Sequence, residues 1–230
     1  MELSGGSTTV FNTGPNAFGM PLANISRSNR RAHVVGNSFF NKNWVFSPSS
    51  TTARDGLGPL FHARSCSSCH VKDGRGAPTN DSSTSIGLLF RLSVSGKSSG
   101  DPVLGVQLAT KAAPGVEPEG TVNVSYEEEE IGFDNLKTAS LRKPQYDLIA
   151  NDHYGKPHAE IQFGPRIAQQ LVGVGLLEAV PDTAILANAD PNDENGDGIS
   201  GKPNYIFNPE SKKKELGRFG WKANEANLRT

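Results

Sequence analysis

Both cysteines of this 230-residue chain lie in one pentapeptide, Cys66-Ser-Ser-Cys69-His70, inside the stretch FHARSCSSCHVKDGRG. No other feature constrains the fold as much, because each chemistry the motif permits demands a different frame. A redox dithiol needs a strand running into the first cysteine and a helix N-terminus that lowers one thiol pKa. The preceding GLGPLFHARS does not read as such a strand. A structural zinc site pairs C-x-x-C with a distant second pair of ligands, and none exists; His70, directly behind Cys69, is poorly placed as a third. A c-type haem uses all three residues: two thioethers on neighbouring vinyl groups along one porphyrin edge, and the next imidazole turned onto the iron. The expectation is one covalent haem c, attached through Cys66 and Cys69, with His70 as axial ligand.

That cofactor would also help to explain the composition. With 35% hydrophobic residues, 25 glycines and 15 prolines, the chain predicts many loops and a lean core. A net charge of -1 gives no electrostatic argument for nucleic acid or for anionic membrane as partner, and no run approaches the ~20 apolar residues of a membrane helix. Thioether attachment takes place outside the cytoplasm, so a periplasmic or otherwise extracytoplasmic protein is expected. The opening MELSGGSTTVF has neither the basic nor the apolar part of a signal peptide, so a leader is expected to have been removed or omitted.

Read along its length, the chain predicts a mainly α fold with a small antiparallel β insertion: a cytochrome c-like haem domain with long irregular loops, spanning 1–230 as one domain. Its parts are an N-terminal segment with the motif (1–80), a β-rich insertion (81–130) and a helical part with an acidic loop (131–230). Short helices are expected around Arg31 to Phe40 and around Pro59 to Cys69. Three β-rich runs, Ile86 to Val94, Pro102 to Thr110 and Thr121 to Glu129, are separated by Gly, Ser and Pro. Ile167, Leu171, Val172, Val174 and Leu177 recur at helical spacing, and a second helix restarts at Pro181-Asp182.

Several blocks together carry a family resemblance: VGNSFFNKNWV (35–45), TTARDGLGPLFHARSCSSCHVKDGRGAP (51–78), SLRKPQYDL (140–148), the long GPRIAQQLVGVGLLEAVPDTAILANADPNDENGDGISGKPN (164–204) and GRFGWKAN (217–224). They resemble the bacterial di-haem oxidoreductases, often labelled thiol oxidoreductases and related to di-haem cytochrome c peroxidases. The resemblance implies a periplasmic cytochrome with two c-type haems, one per half, and electron transfer or peroxidase-like chemistry. Only one CxxCH occurs here, so the second haem is expected on a further domain or on a partner chain. The alternative expectation is a mono-haem electron-transfer module with no catalysis of its own.

The face of the iron opposite His70 decides between those two functions, since an open position favours peroxide and a strong sixth ligand favours electron transfer. Candidate distal ligands are His33, His62, His153, His158 and Met20. His62 lies close to the motif on an expected short helix, and relatives of this kind carry a different residue there. His153 and His158 occupy the polar loop NDHYGKPHAE, and Met20 in AFGMPL reads more readily as core. Arg54, Arg64 and Arg75 flank the motif and are the candidate propionate partners, since a planar guanidinium matches a carboxylate. Glu127, beside Tyr126, is the candidate distal base in an otherwise solvated run of four glutamates.

The loop ADPNDENGDGISGKPN (189–204) is a second signal. Asp193, Asn195 and Asp197 alternate, followed by Gly198 and the backbone of Ile199, as in the first half of a calcium loop. The twelfth position is Asn204 rather than a bidentate Glu, so the match is partial. A structural Ca²⁺ and a loop of self-capping Asx turns are both compatible with it.

Overall fold

The computed structural model describes residue 3 and residues 5–79, 85–96, 100–133 and 137–228. It is a mixed α/β structure, about 20% helix and 30% strand, which corrects the mainly α expectation. Its helices are α1 (Arg27–Asn41), α2 (Cys66–Cys69) and α3 (Asp182–Leu186). The strands are β1 (Val45–Phe46), β2 (Asp55–Leu57), β3 (Leu60–Phe61), β4 (Leu88–Val94), β5 (Lys111–Ala112), β6 (Gly120–Gly132), β7 (Thr138–Ala150), β8 (Ile161–Ile167), β9 (Tyr205–Asn208) and β10 (Lys213–Leu216). Among the described residues they pair only in twos: β1 with β2 in parallel, and β3–β5, β4–β8, β6–β7 and β9–β10 antiparallel. Two compact units are present, residues 1–172 and 173–230.

The core of the first unit is built on the β-rich runs. Along β4, Leu88, Phe90, Leu92 and Val94 point inward while Arg91 and Ser93 face out, the period-2 alternation of a half-buried strand. Val122 and Val124 of β6 do the same, and with Leu104 and Leu108 they close one cluster around Phe90. Residues 102–110, expected as a strand, instead run irregularly along β4, where Leu92 N donates to Val106 O and Leu108 N to Phe90 O. The Asp101 carboxylate fixes the start of this segment. It accepts from the backbone N–H groups of Val103, Leu104 and His158 at 2.8–2.9 Å. Burial pushes this carboxyl up, but the three N–H donors outweigh it and hold it below the usual range.

Much of the expected helical part is strand. SLRKPQYDL lies within β7, where Pro144 is compatible with a two-stranded ribbon but not with a helix interior. The apolar spacing that predicts a helix from Ile167 also breaks down. Ile167 ends β8, Leu171 N donates to Asp73 O instead of to its own preceding turn, and Gly173 adopts φ 74°. Only a 3-10 segment, Val174–Ala179, follows before α3. The β insertion therefore extends well past 130. Residues 81–84 and 97–99 of its expected range lie outside the described residues. The expected N-terminal helix is present as α1, capped by the Ser26 hydroxyl accepting from Asn29 N at 3.2 Å. Of the expected Pro59 to Cys69 helix only Cys66–Cys69 is helical; Leu60 and Phe61 pair with β5.

The second unit contains α3, the β9–β10 hairpin and the acidic loop. Arg218 donates to the carbonyls of Leu177 and Val180 and pairs with Asp182, tying the 3-10 segment and α3 to the C-terminal residues. At Gly217 a Cβ would collide with the Ala223 carbonyl, which accounts for glycine in the GRFGWKAN block.

Candidate functional site

The motif begins on a single helical turn. The Ser65 hydroxyl caps α2 by accepting from Ser68 N at 3.2 Å, and His70 N closes the turn on Cys66 O at 3.0 Å. Cys66 is exposed, Cys69 is half-buried, and both are free thiols. Burial pushes the Cys69 thiol up, which keeps its proton, and Sγ lies 3.0 Å from the Ile86 carbonyl. Behind His70 the chain reverses through Lys72 and Asp73, both left-handed at φ 55° and 61°. Such residues persist only where neighbouring bonds fix them. Here Asp73 N donates to His70 O, and Asp73 O accepts from Leu171 N.

The frame that holds this loop is one end of the β4–β8 ribbon. Because Leu88 faces Ile167 across that ladder, the residues just before β4 and just after β8 emerge side by side. Ala168 N donates to Gly87 O, and Ala168 O accepts from Gly76 N at 2.8 Å. Gly76 and Gly87 touch backbone to backbone: a Cβ on Gly76 would sit 2.6 Å from Gly87 O, and one on Gly87 would sit 2.7 Å from Gly76 Cα. The next carbonyl along, Gln169 O, lies 2.6 Å from His70 Nδ1. A carbonyl only accepts, so Nδ1 carries the proton and Nε2 keeps its lone pair. That is the tautomer a metal ligand needs, fixed by a backbone group.

The other predicted residues fall in different settings. His62 is 7% exposed with both nitrogens engaged, Nε2 with Ile86 O and Nδ1 with Thr110 Oγ1, each at 2.9 Å. In this arrangement neither nitrogen is free for iron. His33 on α1 reaches Gly19 O at 3.3 Å through Nε2. Met20 follows Gly19 and is 44% exposed. His153 is exposed and stacked edge-on to Tyr154, while His158 Nδ1 accepts from Glu160 N. Arg64 is turned toward Trp44, donating to its carbonyl at 3.3 Å and lying 5.8 Å from the Phe46 ring centroid. Arg54 is half-buried and Arg75 exposed between the two glycines of the loop. Glu127 to Glu130 are exposed on the outer half of β6, where Glu127 accepts from Gln145. Sequence reasoning missed Ile86, Gly87, Ala168, Gln169 and Thr110. The block GPRIAQQL carries part of that signal, since residues 164–171 include Ala168 and Gln169.

In the acidic loop the side chains serve the backbone. Asp190 accepts from Glu194 N, Asn195 from Asp197 N, Asp193 from Gly198 N, and Asp197 from Ile199 N. Among the described residues, no group of three or more His, Cys, Asp or Glu is placed to hold a metal ion.

With this geometry in place, the comparison with known families is direct. The chain matches the family described as "Di-haem oxidoreductase, putative peroxidase" over residues 1–86 and 102–230. It belongs to that family, whose function is redox and whose cofactor is haem. No curated protein and no solved structure matches it.

The residues present fit a haem. Two thiols and an imidazole with a free Nε2 converge on one turn, and apolar groups stand beside them. Phe40 is 6.4 Å from His70 between ring centroids, a Cβ on Gly74 would sit 3.5 Å from the Phe18 ring, and Val71 is 56% exposed. Among the described residues, none before His62 is buried. Apolar surface of this extent around one motif suits a flat hydrophobic group.

Proposed function

We propose that this chain is an extracytoplasmic c-type cytochrome, the haem-bearing part of a peroxidase-like di-haem oxidoreductase. Cys66 and Cys69 would hold one haem through thioethers, and His70 Nε2 would be its axial ligand. The observation that carries the reading is the His70–Gln169 bond, which presents an unprotonated Nε2 beside two free thiols. When bound, the haem would supply one-electron transfer and, at an open coordination position, peroxide reduction. The chain's own part is to orient. The Gln169 carbonyl fixes the ring plane and tautomer of His70, and the β4–β8 ribbon end holds the motif loop against displacement. A second haem, on a further domain or a partner protein, would be the electron donor or acceptor.

The test is spectroscopic. Protein produced with a c-type maturation system should give a pyridine haemochrome spectrum of covalent haem. A high-spin ferric component that changes on adding peroxide supports catalysis at this haem. A wholly low-spin, peroxide-inert haem would reduce the chain to an electron-transfer module, and the lack of any Soret band would refute the haem reading.

A further inference from the structure

His62 and Cys69 meet on one carbonyl oxygen. Ile86 O lies 2.9 Å from His62 Nε2 and 3.0 Å from Cys69 Sγ. Since the carbonyl only accepts, Nε2 bears the ring proton, and Nδ1 must accept from the Thr110 hydroxyl. The imidazole is thus held by two segments distant in sequence, and it is buried. Ile86 in turn adjoins Gly87, whose backbone presses on Gly76 at the far end of the motif loop. Cys69 is therefore seated in a fixed frame, while Cys66 stands in solvent.

We infer that His62 is a positioning residue for covalent attachment at Cys69, through the Ile86 carbonyl that both side chains share. The inference rests on the haem reading above. In attachment the thiol adds across a vinyl double bond: the S–H bond breaks, an S–C bond forms, and the hydrogen goes to the neighbouring vinyl carbon, so no oxidant or reductant is consumed. Ile86 O loses the Cys69 donor in that step. His62 Nε2–H stays on the same oxygen, so this half-buried carbonyl keeps a partner before and after the bond forms. Without His62 the 85–87 segment would lose its tie to Thr110, and the Cys69 sulfur would lose its fixed acceptor.

The test is the number of thioethers per chain, read by mass spectrometry of the haem peptide and by the pyridine haemochrome band, which shifts to longer wavelength when one vinyl group remains. Cys69→Ala supplies the one-thioether reference. In His62→Phe the fraction of chains joined through Cys66 alone should rise about tenfold, the factor one lost hydrogen bond carries, with Cys69 open to alkylation. His62→Gln, whose amide N–H replaces Nε2–H, should restore two thioethers. Thr110→Val removes the partner of Nδ1 at nearly constant volume and should give an intermediate loss, which serves if the Phe variant fails to fold by circular dichroism. Two thioethers in both His62→Phe and Thr110→Val would overturn the inference, as would a Gln variant as defective as the Phe variant. Wild-type protein with no covalent haem would instead overturn the underlying haem reading, and this inference with it.

Discussion

Two histidines eight positions apart show that hydrogen bonds, more than residue type, decide what an imidazole can do. His70 donates its Nδ1–H to Gln169 O and leaves Nε2 unprotonated; His62 spends both nitrogens on the protein. The motif stood out in the sequence because its chemistry is spelled in side chains. Gln169 did not, because its contribution is a backbone carbonyl that any residue supplies. Gln169→Ala should accordingly leave the ferric spectrum unchanged and alter stability by no more than about 0.5 kcal/mol, as checked by thermal melting. His62 carries a pH signature as well. Burial, with Lys111 nearby, lowers its pKa from 6.5, although the Ile86 bond works the other way. The unfolded chain then takes up the proton first as pH drops below 6.5, so this contribution is complete above that value and is lost as pH falls through the lowered folded value. Urea midpoints of the haem-free chain should decline with acidity in that window, less so in His62→Gln; the carboxylate of Asp101 adds a second, more acidic decline, since its folded pKa is also depressed.

At the level of elements, what the sequence conceals is partnership. The β-formers of Ile86 to Val94 and Thr121 to Glu129 announced strands there, but not that β4 would pair with β8, about seventy residues on, and β6 with β7. Ile161–Ile167 was hidden because its glycine and proline interrupt any period, and those residues are tolerated only because the ribbon has just two strands. The same economy exposes the frame to single substitutions. Gly87→Ala places a methyl against the Gly76 backbone, which cannot swing aside as a side chain can. A loss of ~1–3 kcal/mol is expected, measured as a lower urea midpoint, along with reduced haem content per chain.

For the whole molecule, apolar burial is uneven. The cluster around Phe90 is contributed by β4, β6 and the 104–108 segment, whereas described residues before His62 bury nothing fully, α1 included. This fits a chain whose low hydrophobic content left room for a cofactor to finish the interior. Hydrogen–deuterium exchange should therefore be fast across α1 in the haem-free chain and slow after haem attachment, while β4 and β8 remain protected in both; equal exchange of α1 in the two forms would place the cofactor elsewhere. The acidic loop is organised differently: the carboxylates of Asp190, Asp193 and Asp197 accept from backbone N–H groups of the loop itself, Asp197 in an Asx turn with Ile199.

The bond from His70 to Gln169 spans 99 positions, and that separation has a kinetic meaning. Closing so long a loop is entropically costly and comes late on a folding path. If haem is held as proposed, attachment at Cys66 and Cys69 draws on the motif and on the nearer contacts of the 62–110 segment, none spanning more than 48 positions, and can precede that closure. The order expected is chemistry first and ligand alignment second: a newly matured chain should pass through a stage with haem attached but iron loosely coordinated, and its final spectrum should develop with the β-sheet circular dichroism signal as β8 docks.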